Sequence, residues 1–168
     1  MVLPPRVLYN SYFYLIMTIL YLICGLPGSG KSTLAKKLEN ELPGLRLTPD
    51  EWMDRIVSDG YNEEKRSVIE SIQWEIAQQA LRLGIDVILE SGFWSRAERD
   101  KFRDQAKKLG VSVKLYYLKV PREELIRRLE RRNADLPPHS FHVKVSDLDK
   151  WSKLFEEPTP DELESGNS

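Results

Sequence analysis

The sequence predicts an α/β fold of three layers, a mostly parallel sheet with helices on both faces. Three observations predict it. Apolar-rich segments of strand length recur at 19–24, 85–89 and 111–118, the first of them a continuous apolar run. Longer segments between them carry apolar residues at 3–4 spacing, the mark of helices. A glycine-rich turn joins the first run to the first helix. Strands that alternate with helices build a parallel sheet covered on both sides. A chain of 168 residues makes one such domain, with apolar residues enough for a single core.

The N-terminus comes first in order. The stretch from Val7 to Cys24 holds no charge and reaches the lower edge of membrane-spanning length. Its last residues must be the strand that feeds the glycine turn. Val7 to Met17 is then too short to span, so no membrane association is expected. A cleaved leader fits no better, because cleavage would fall beside the turn. Residues 1–16 read as an upstream extension of low order and Met17 as the natural start. The domain then covers 17–158, a tail covers 159–168, and the location is cytoplasmic.

Past the turn, Leu34, Ala35, Leu38 and Leu42 make a helical stripe that Pro43-Gly44 ends. Residues 45–48 alternate as a short strand. Pro49 stops it, and Asp50-Glu51 cap a helical turn of Trp52, Met53, Ile56 and Val57. A long helix is expected over 63–83, with Ile69, Ile72, Ile76, Ala80 and Leu83 inward and Gly84 as its stop. After the second apolar run, Ser95 and Glu98 have capping-box spacing for a helix that ends at Gly110. Pro121 opens a helix through Arg132. A loop follows at 133–139, a short helix spans 146–155, and the last eight residues read as frayed.

The chemistry is concentrated in Gly25-Leu26-Pro27-Gly28-Ser29-Gly30-Lys31-Ser32-Thr33. It fits G-x-x-x-x-G-K-[ST], the phosphate loop of nucleoside triphosphate binders. Glycines let successive backbone N–H groups turn inward on a phosphate chain. Lys31 can reach the β- and γ-phosphates, and the Ser32 hydroxyl can ligate Mg²⁺. The helix that begins there aims its positive end at the same anion. The fold class is therefore that of the P-loop nucleoside triphosphatases. In such sheets ligands sit beyond the carboxyl ends of the strands.

The polar residues past each strand are the candidates. Asp50 could take the proton of an acceptor hydroxyl, or could simply cap its helix. Glu90 follows Val87-Ile88-Leu89 and could hold Mg²⁺ through water, bind substrate, or be a satisfied strand-end carboxylate. Arg127, Arg128, Arg131 and Arg132 crowd one helix end, where charge on a transferred phosphoryl group would call for them. Some must instead pair with Glu123, Glu124 and Glu130; Arg128 and Arg132 are the pair favoured for the site. Trp52, Phe93, Trp94, His139 and His142 could line an acceptor pocket or pack in the core, and Trp74 and Trp151 read as core. Cys24 is the only cysteine, so it forms no internal disulfide and reads as an inert core thiol. A formal net charge of −1 argues against a nucleic-acid partner.

Taken in order, the phosphate loop, Thr48-Pro49-Asp50, Val87-Ile88-Leu89-Glu90, Phe93-Trp94-Ser95-Arg96 with Arg99, and Arg128 with Arg132-Asn133 carry a resemblance. The chain resembles the small P-loop kinases of the AAA-domain family. These are relatives of the kinase domain of polynucleotide kinase, of chloramphenicol phosphotransferase and of zeta toxins. The resemblance spans about residues 19–162. It implies ATP- and Mg²⁺-dependent transfer of a phosphoryl group to a hydroxyl of a small-molecule or nucleoside-like acceptor. Asp50 would be the base, and the helix carrying Arg128 and Arg132 the lid. Polynucleotide kinases also carry an arginine three residues after the base, where this chain has Met53. Two alternatives stand beside this reading: an ATPase switch acting through a protein partner, and a kinase for polynucleotides or nucleotide sugars.

Overall fold

The computed structural model describes residues 18–164. The expected N-terminal extension and the start at Met17 lie outside the described residues. Four parallel strands form the sheet: β1 (Ile19–Cys24), β2 (Gly44–Leu47), β3 (Asp86–Gly92) and β4 (Ser112–Tyr117), in the order β2-β3-β1-β4. Seven helices accompany them among the described residues. They are α1 (Lys31–Glu41), α2 (Pro49–Ile56), α3 (Glu63–Arg82), α4 (Arg96–Leu109), α5 (Arg122–Ala134), α6 (Val145–Leu154) and α7 (Pro160–Glu164). Among the described residues no helix is long and apolar enough to cross a membrane.

The central strand shows why the sheet is covered twice. Leu20, Leu22 and Cys24 of β1 pack on one face with Ala77 and Leu81 of α3 and Ala106 of α4. Tyr21 and Ile23 pack on the other with Ala35 and Leu38 of α1. A strand buried on both faces needs a continuous apolar run rather than an alternating one. Each fully buried aliphatic side chain here stabilises the fold by about 1.5–3 kcal/mol. Cys24 is buried as expected, and burial pushes its thiol up to about 12. A third cluster, Leu125, Leu129 and Leu148, joins α5 to α6 and reaches Leu26 in the glycine turn.

Registry matters where β1 meets β3. Leu22 pairs with Leu89, but Cys24 pairs with Gly92. One extra residue of β3 is therefore accommodated in the Glu90-Ser91 step. Bulges of this kind re-aim side chains and gather at active sites.

The structure corrects several expectations. β3 runs on through Glu90 and Ser91 instead of stopping at Leu89. α2 begins at Pro49 with Thr48 as its N-cap, so Asp50 and Glu51 sit in the first turn and cap nothing. Proline at the first helical position starts a helix as readily as it stops a strand. The inward face of α3 is Ile69, Gln73, Ala77, Ala80 and Leu81, while Ile72 and Leu83 are exposed. Ser95 and Glu98 do form the capping box, with Ser95 Oγ accepting from the Glu98 N–H at 3.1 Å.

The C-terminus differs most. Of the last eight residues, expected to fray, 161–164 form part of α7, and 165–168 lie outside the described residues. The Glu162 side chain is 1 % exposed. It accepts from Arg99 Nε and Nη2 at 2.8 and 3.0 Å and from Arg103 Nη1 at 2.9 Å. Arg99 itself is fully buried and also donates to the carbonyls of Phe93 and Glu156. A buried guanidinium needs a carboxylate and several acceptors, and this one draws the chain end in.

Candidate active site

Gly25 opens the glycine turn by donating its N–H to the Gly92 carbonyl at 3.1 Å, which ties the turn to the bulged end of β3. The backbone then takes left-handed conformations at Gly28 (φ 84°) and Gly30 (φ 100°). Gly28 has a second constraint. A Cβ there would lie 3.2 Å from Leu129 Cγ and 3.3 Å from the Leu125 carbonyl, so α5 packs directly on the turn. Gly30 is the N-cap of α1, with no side-chain cap hydrogen bond at the helix end. Free N–H groups at a helix N-terminus form an anion site.

The side chains of the turn are poised for such an anion. Ser29 is buried, and its Oγ has no hydrogen-bond partner among the described residues. Lys31 folds back to donate to the Leu26 carbonyl at 3.0 Å. Burial lowers its ammonium below the ordinary lysine range, against the opposing pull of Glu90 and Asp50. Pro27 is partly buried within the turn, and Thr33 lies exposed on the first turn of α1. An ammonium held in a desolvated site interacts with a phosphate far more strongly than one in water.

Ser32 Oγ donates to Glu90 Oε1 at 2.6 Å, and Thr48 Oγ1 donates to Glu90 Oε2 at 3.2 Å. Burial raises the Glu90 carboxyl, while the Ser32 hydrogen bond and Lys31 pull it back. Thr48 is held in turn by Arg46 Nη1 at 2.7 Å, and Arg46 pairs with Glu51 at 2.9 Å. A hydroxyl and a carboxylate in contact are hard oxygen donors that suit Mg²⁺. Among the described residues no three His, Cys, Asp or Glu side chains gather into a metal cage. Mg²⁺ is commonly held by one or two carboxylates together with substrate phosphates, so Ser32 and Glu90 fit it.

Asp50 lies exposed on the first turn of α2, and its Oδ1 accepts from Arg66 Nη2 of α3 at 2.7 Å. Arg66 also donates to the Gly60 carbonyl at 3.3 Å. Arg128 reaches over the turn: its Nη1 donates to the Ser29 carbonyl at 3.3 Å, and its Nε to Glu124 at 2.7 Å. One helical turn on, Arg132 has a buried Nε without a partner among the described residues. Burial lowers its guanidinium, with Asp50 and Tyr61 opposing. Arg127 is 74 % exposed and pairs with Glu124, and Arg131 is exposed. Arg128 and Arg132 therefore face the loop, and Arg127 and Arg131 face away.

The family model of the AAA domain matches residues 20–158. The chain belongs to the AAA-domain family. A protein of Aeropyrum pernix described as a "Probable adenylyl-sulfate kinase" is 33% identical over 113 residues, which are 63% of this chain. The chain spans 61% of the length of that relative. Among solved structures, a sugar kinase from Janibacter superposes with a TM-score of 0.62 at 22% identity, over 86% of this chain and 81% of that one. Chaetomium thermophilum Kti12 in complex with ADP-AlF3 superposes with a TM-score of 0.63 at 19% identity, over 84% and 82% of the two chains. This member of the AAA-domain family thus has the P-loop kinase fold.

Within that fold the aromatic candidates scatter. Phe93 is fully buried, edge-on to Phe102 with centroids 5.2 Å apart. Trp52 packs against the main core. Trp94 leans on Trp151 at 5.9 Å, and Trp151 in turn stacks on Tyr61 at 6.4 Å. His139 pairs with Asp54 at 3.0 Å on the surface, and His142 is exposed. Arg66 escapes sequence reasoning altogether. It sits in the charged first turn Glu63-Glu64-Lys65-Arg66, and only the packing of α2 on α3 brings it to Asp50.

Proposed function

We propose that this protein is an ATP- and Mg²⁺-dependent phosphotransferase that moves the γ-phosphoryl group of ATP to a hydroxyl of a small molecule. One observation carries the reading. The glycine turn with Lys31, the Ser32–Glu90 pair, Asp50, and the inward pair Arg128 and Arg132 meet at the carboxyl end of the sheet.

The backbone N–H groups of residues 28–32, the Ser29 hydroxyl and Lys31 would bind the phosphate chain. Binding draws Lys31 off the Leu26 carbonyl. The cavity of about 480 Å³ beside the turn, lined by Leu26, Leu125 and Phe155, offers apolar surface for the base. Ser32 and Glu90 would hold Mg²⁺, which supplies neutralisation of β- and γ-phosphate oxygens. Asp50 would orient the acceptor hydroxyl and take its proton. The oxygen then bonds to the γ-phosphorus as the bond to the ADP oxygen breaks. Arg128 and Arg132 would meet the charge spread over the transferred group.

The polynucleotide alternative loses support on one point. Met53, where polynucleotide kinases carry an arginine, is a fully buried core residue. Arg66 is instead the cation that touches Asp50.

The test is ATP consumption with Mg²⁺ against nucleosides, sugars, amino sugars, chloramphenicol-like alcohols and 5′-hydroxyl oligonucleotides, with products identified by mass. Stimulation by a hydroxyl compound and a product heavier by one phosphoryl group are expected. Asp50→Asn should keep ATP binding, and transfer should fall roughly 10²–10⁴-fold. Slow ATP turnover that no acceptor changes would overturn the proposal.

A further inference from the structure

The glycine turn and its partners leave one built feature without a role. A cavity of about 320 Å³ lies between α3 and α4, against the carboxyl half of β3. Ligand sites begin at roughly this size. Trp74 and Phe102 line it, edge to face with centroids 4.9 Å apart. Above them the lining is polar. Gln73 stands on the inward face of α3, 2 % exposed, and its Nε2 has no partner among the described residues. Across from it on α4, Gln105 has a buried Oε1 that is equally unpaired. Leaving a buried amide group unpaired costs about 1–3 kcal/mol, and native folds pair nearly all of them. One of these groups is a donor and the other an acceptor. A hydroxyl, which both gives and takes a hydrogen bond, satisfies such a pair.

Charge narrows the ligand. Glu70 of α3 and Glu98 of α4 line the cavity, and Lys101 is its one lining cation, exposed at the rim. Two carboxylates with no arginine in the lining suit an ammonium group and repel a phosphate.

Position ties the cavity to phosphoryl transfer. Glu70 lies one helical turn from Arg66, which holds Asp50 at 2.7 Å. Ser91 lines the cavity and directly follows Glu90, whose carboxylate bonds to Ser32 on the other face of the sheet. We propose that the α3–α4 cavity seats the far end of the phosphoryl acceptor, and that this acceptor is a hydroxyl compound carrying an ammonium group, of amino-sugar or amino-alcohol size. The inference rests on the kinase reading above. In the transfer the acceptor oxygen gains the phosphoryl group and loses its proton to Asp50. The ammonium keeps its protons and takes no part in bond making.

A pH signature follows. Burial pushes the Glu70 carboxyl up to about 7; Arg66 opposes, and Glu98, Glu63 and Asp50 add to the rise. Lys101 on α4 is the remaining charge facing it. A bound ammonium favours the ionised carboxylate. Affinity for 2-aminoethanol, whose amine stays protonated over this range, should therefore weaken as pH falls from 8 to 6.

The experiment uses matched probes: glucosamine against glucose, 2-aminoethanol against ethylene glycol, and glucosamine 6-phosphate against glucosamine. ADP release and product mass report transfer, and calorimetric titration without nucleotide reports binding. In the first two pairs the amine is expected to show a KM at least about tenfold below that of its neutral partner, equivalent to about 1.4 kcal/mol, and in the third glucosamine is expected to show a lower KM than its 6-phosphate. Glu70→Gln should abolish that preference through KM, with kcat changed less, and should flatten the pH dependence. Gln73→Leu is the second variant and should weaken amine and neutral partner alike. If neutral or phosphorylated compounds react and amines do not, the inference is overturned and the kinase reading stands. An amine preference that survives Glu70→Gln also overturns it. If nothing is phosphorylated, the kinase reading fails, and calorimetry decides the cavity by itself: no amine binding, or binding that Glu70→Gln leaves unchanged, overturns the inference.

Discussion

Lys31 illustrates how much one side chain depends on its surroundings. Its ammonium is lowered by burial and rests on the Leu26 carbonyl, an acceptor that a bound phosphate would displace. Lys31→Ala should lower kcat/KM for ATP by roughly 10²–10³-fold, the scale of one lost transition-state donor. Steady-state ADP release checks this, and a melting curve close to that of the unmodified protein shows that the fold survived. Lys31, Ser32 and Gly25 through Gly30 were legible because the phosphate loop acts through one contiguous stretch. Asp50 and Glu90 were legible because strand ends are where such sheets place ligands. Arg66 was not. Nothing in its spacing distinguishes it from Lys65, and its contact with Asp50 is made across two helices.

At the level of the element, α5 sorts four arginines by helical phase. Arg128 and Arg132 look inward and Arg127 and Arg131 outward, as i, i+4 geometry requires. Arg128→Ala and Arg132→Ala should each lower kcat by at least about tenfold, while Arg127→Ala and Arg131→Ala should stay within about twofold. Parallel kinetics of the four variants test this, and equal effects from all four would remove α5 from the transfer step. The phase of α5 could be read because its glutamates and arginines leave Leu125, Ile126 and Leu129 as its large apolar residues to pack. The phase of α3 could not. Its aliphatics fall on more than one face, and the polar Gln73 stands in the buried row while Ile72, expected there, is exposed. That misfit is what later marks the α3–α4 cavity.

For the molecule as a whole, α7 is a structural member. Burial acts to raise the Glu162 carboxyl, but hydrogen bonds from Arg99, Thr159 and Arg103 outweigh it and hold it well below the usual carboxylate range. A depressed carboxyl contributes stability above its unfolded-state value, and that stability is lost as pH falls through the acid range below about 4.5. Glu162→Gln strands the buried Arg99 charge and should cost about 3–5 kcal/mol, or roughly 10 °C in Tm, at pH 7. The difference from the unmodified protein should shrink at pH 3, and thermal melts at the two pH values check both statements. The sequence hid this clamp because its partners are 63 positions apart, counting from 99 to 162, and a Pro-Thr-Pro segment precedes the glutamate. Strand and helix placement and the phosphate loop follow local patterns; the strand order, the clamp and the cavity follow from packing between distant segments.

The pleat of β3 has a wider meaning. Glu90 turns toward the phosphate loop and Ser91 toward the α3–α4 cavity, so adjacent residues serve opposite faces of one sheet. On the proposed assignment, donor chemistry and acceptor choice would be separately mutable. Substitutions along α3 and α4 would then retune which alcohol is taken up without disturbing the triphosphate side of the sheet, so one scaffold would change its clientele by small steps.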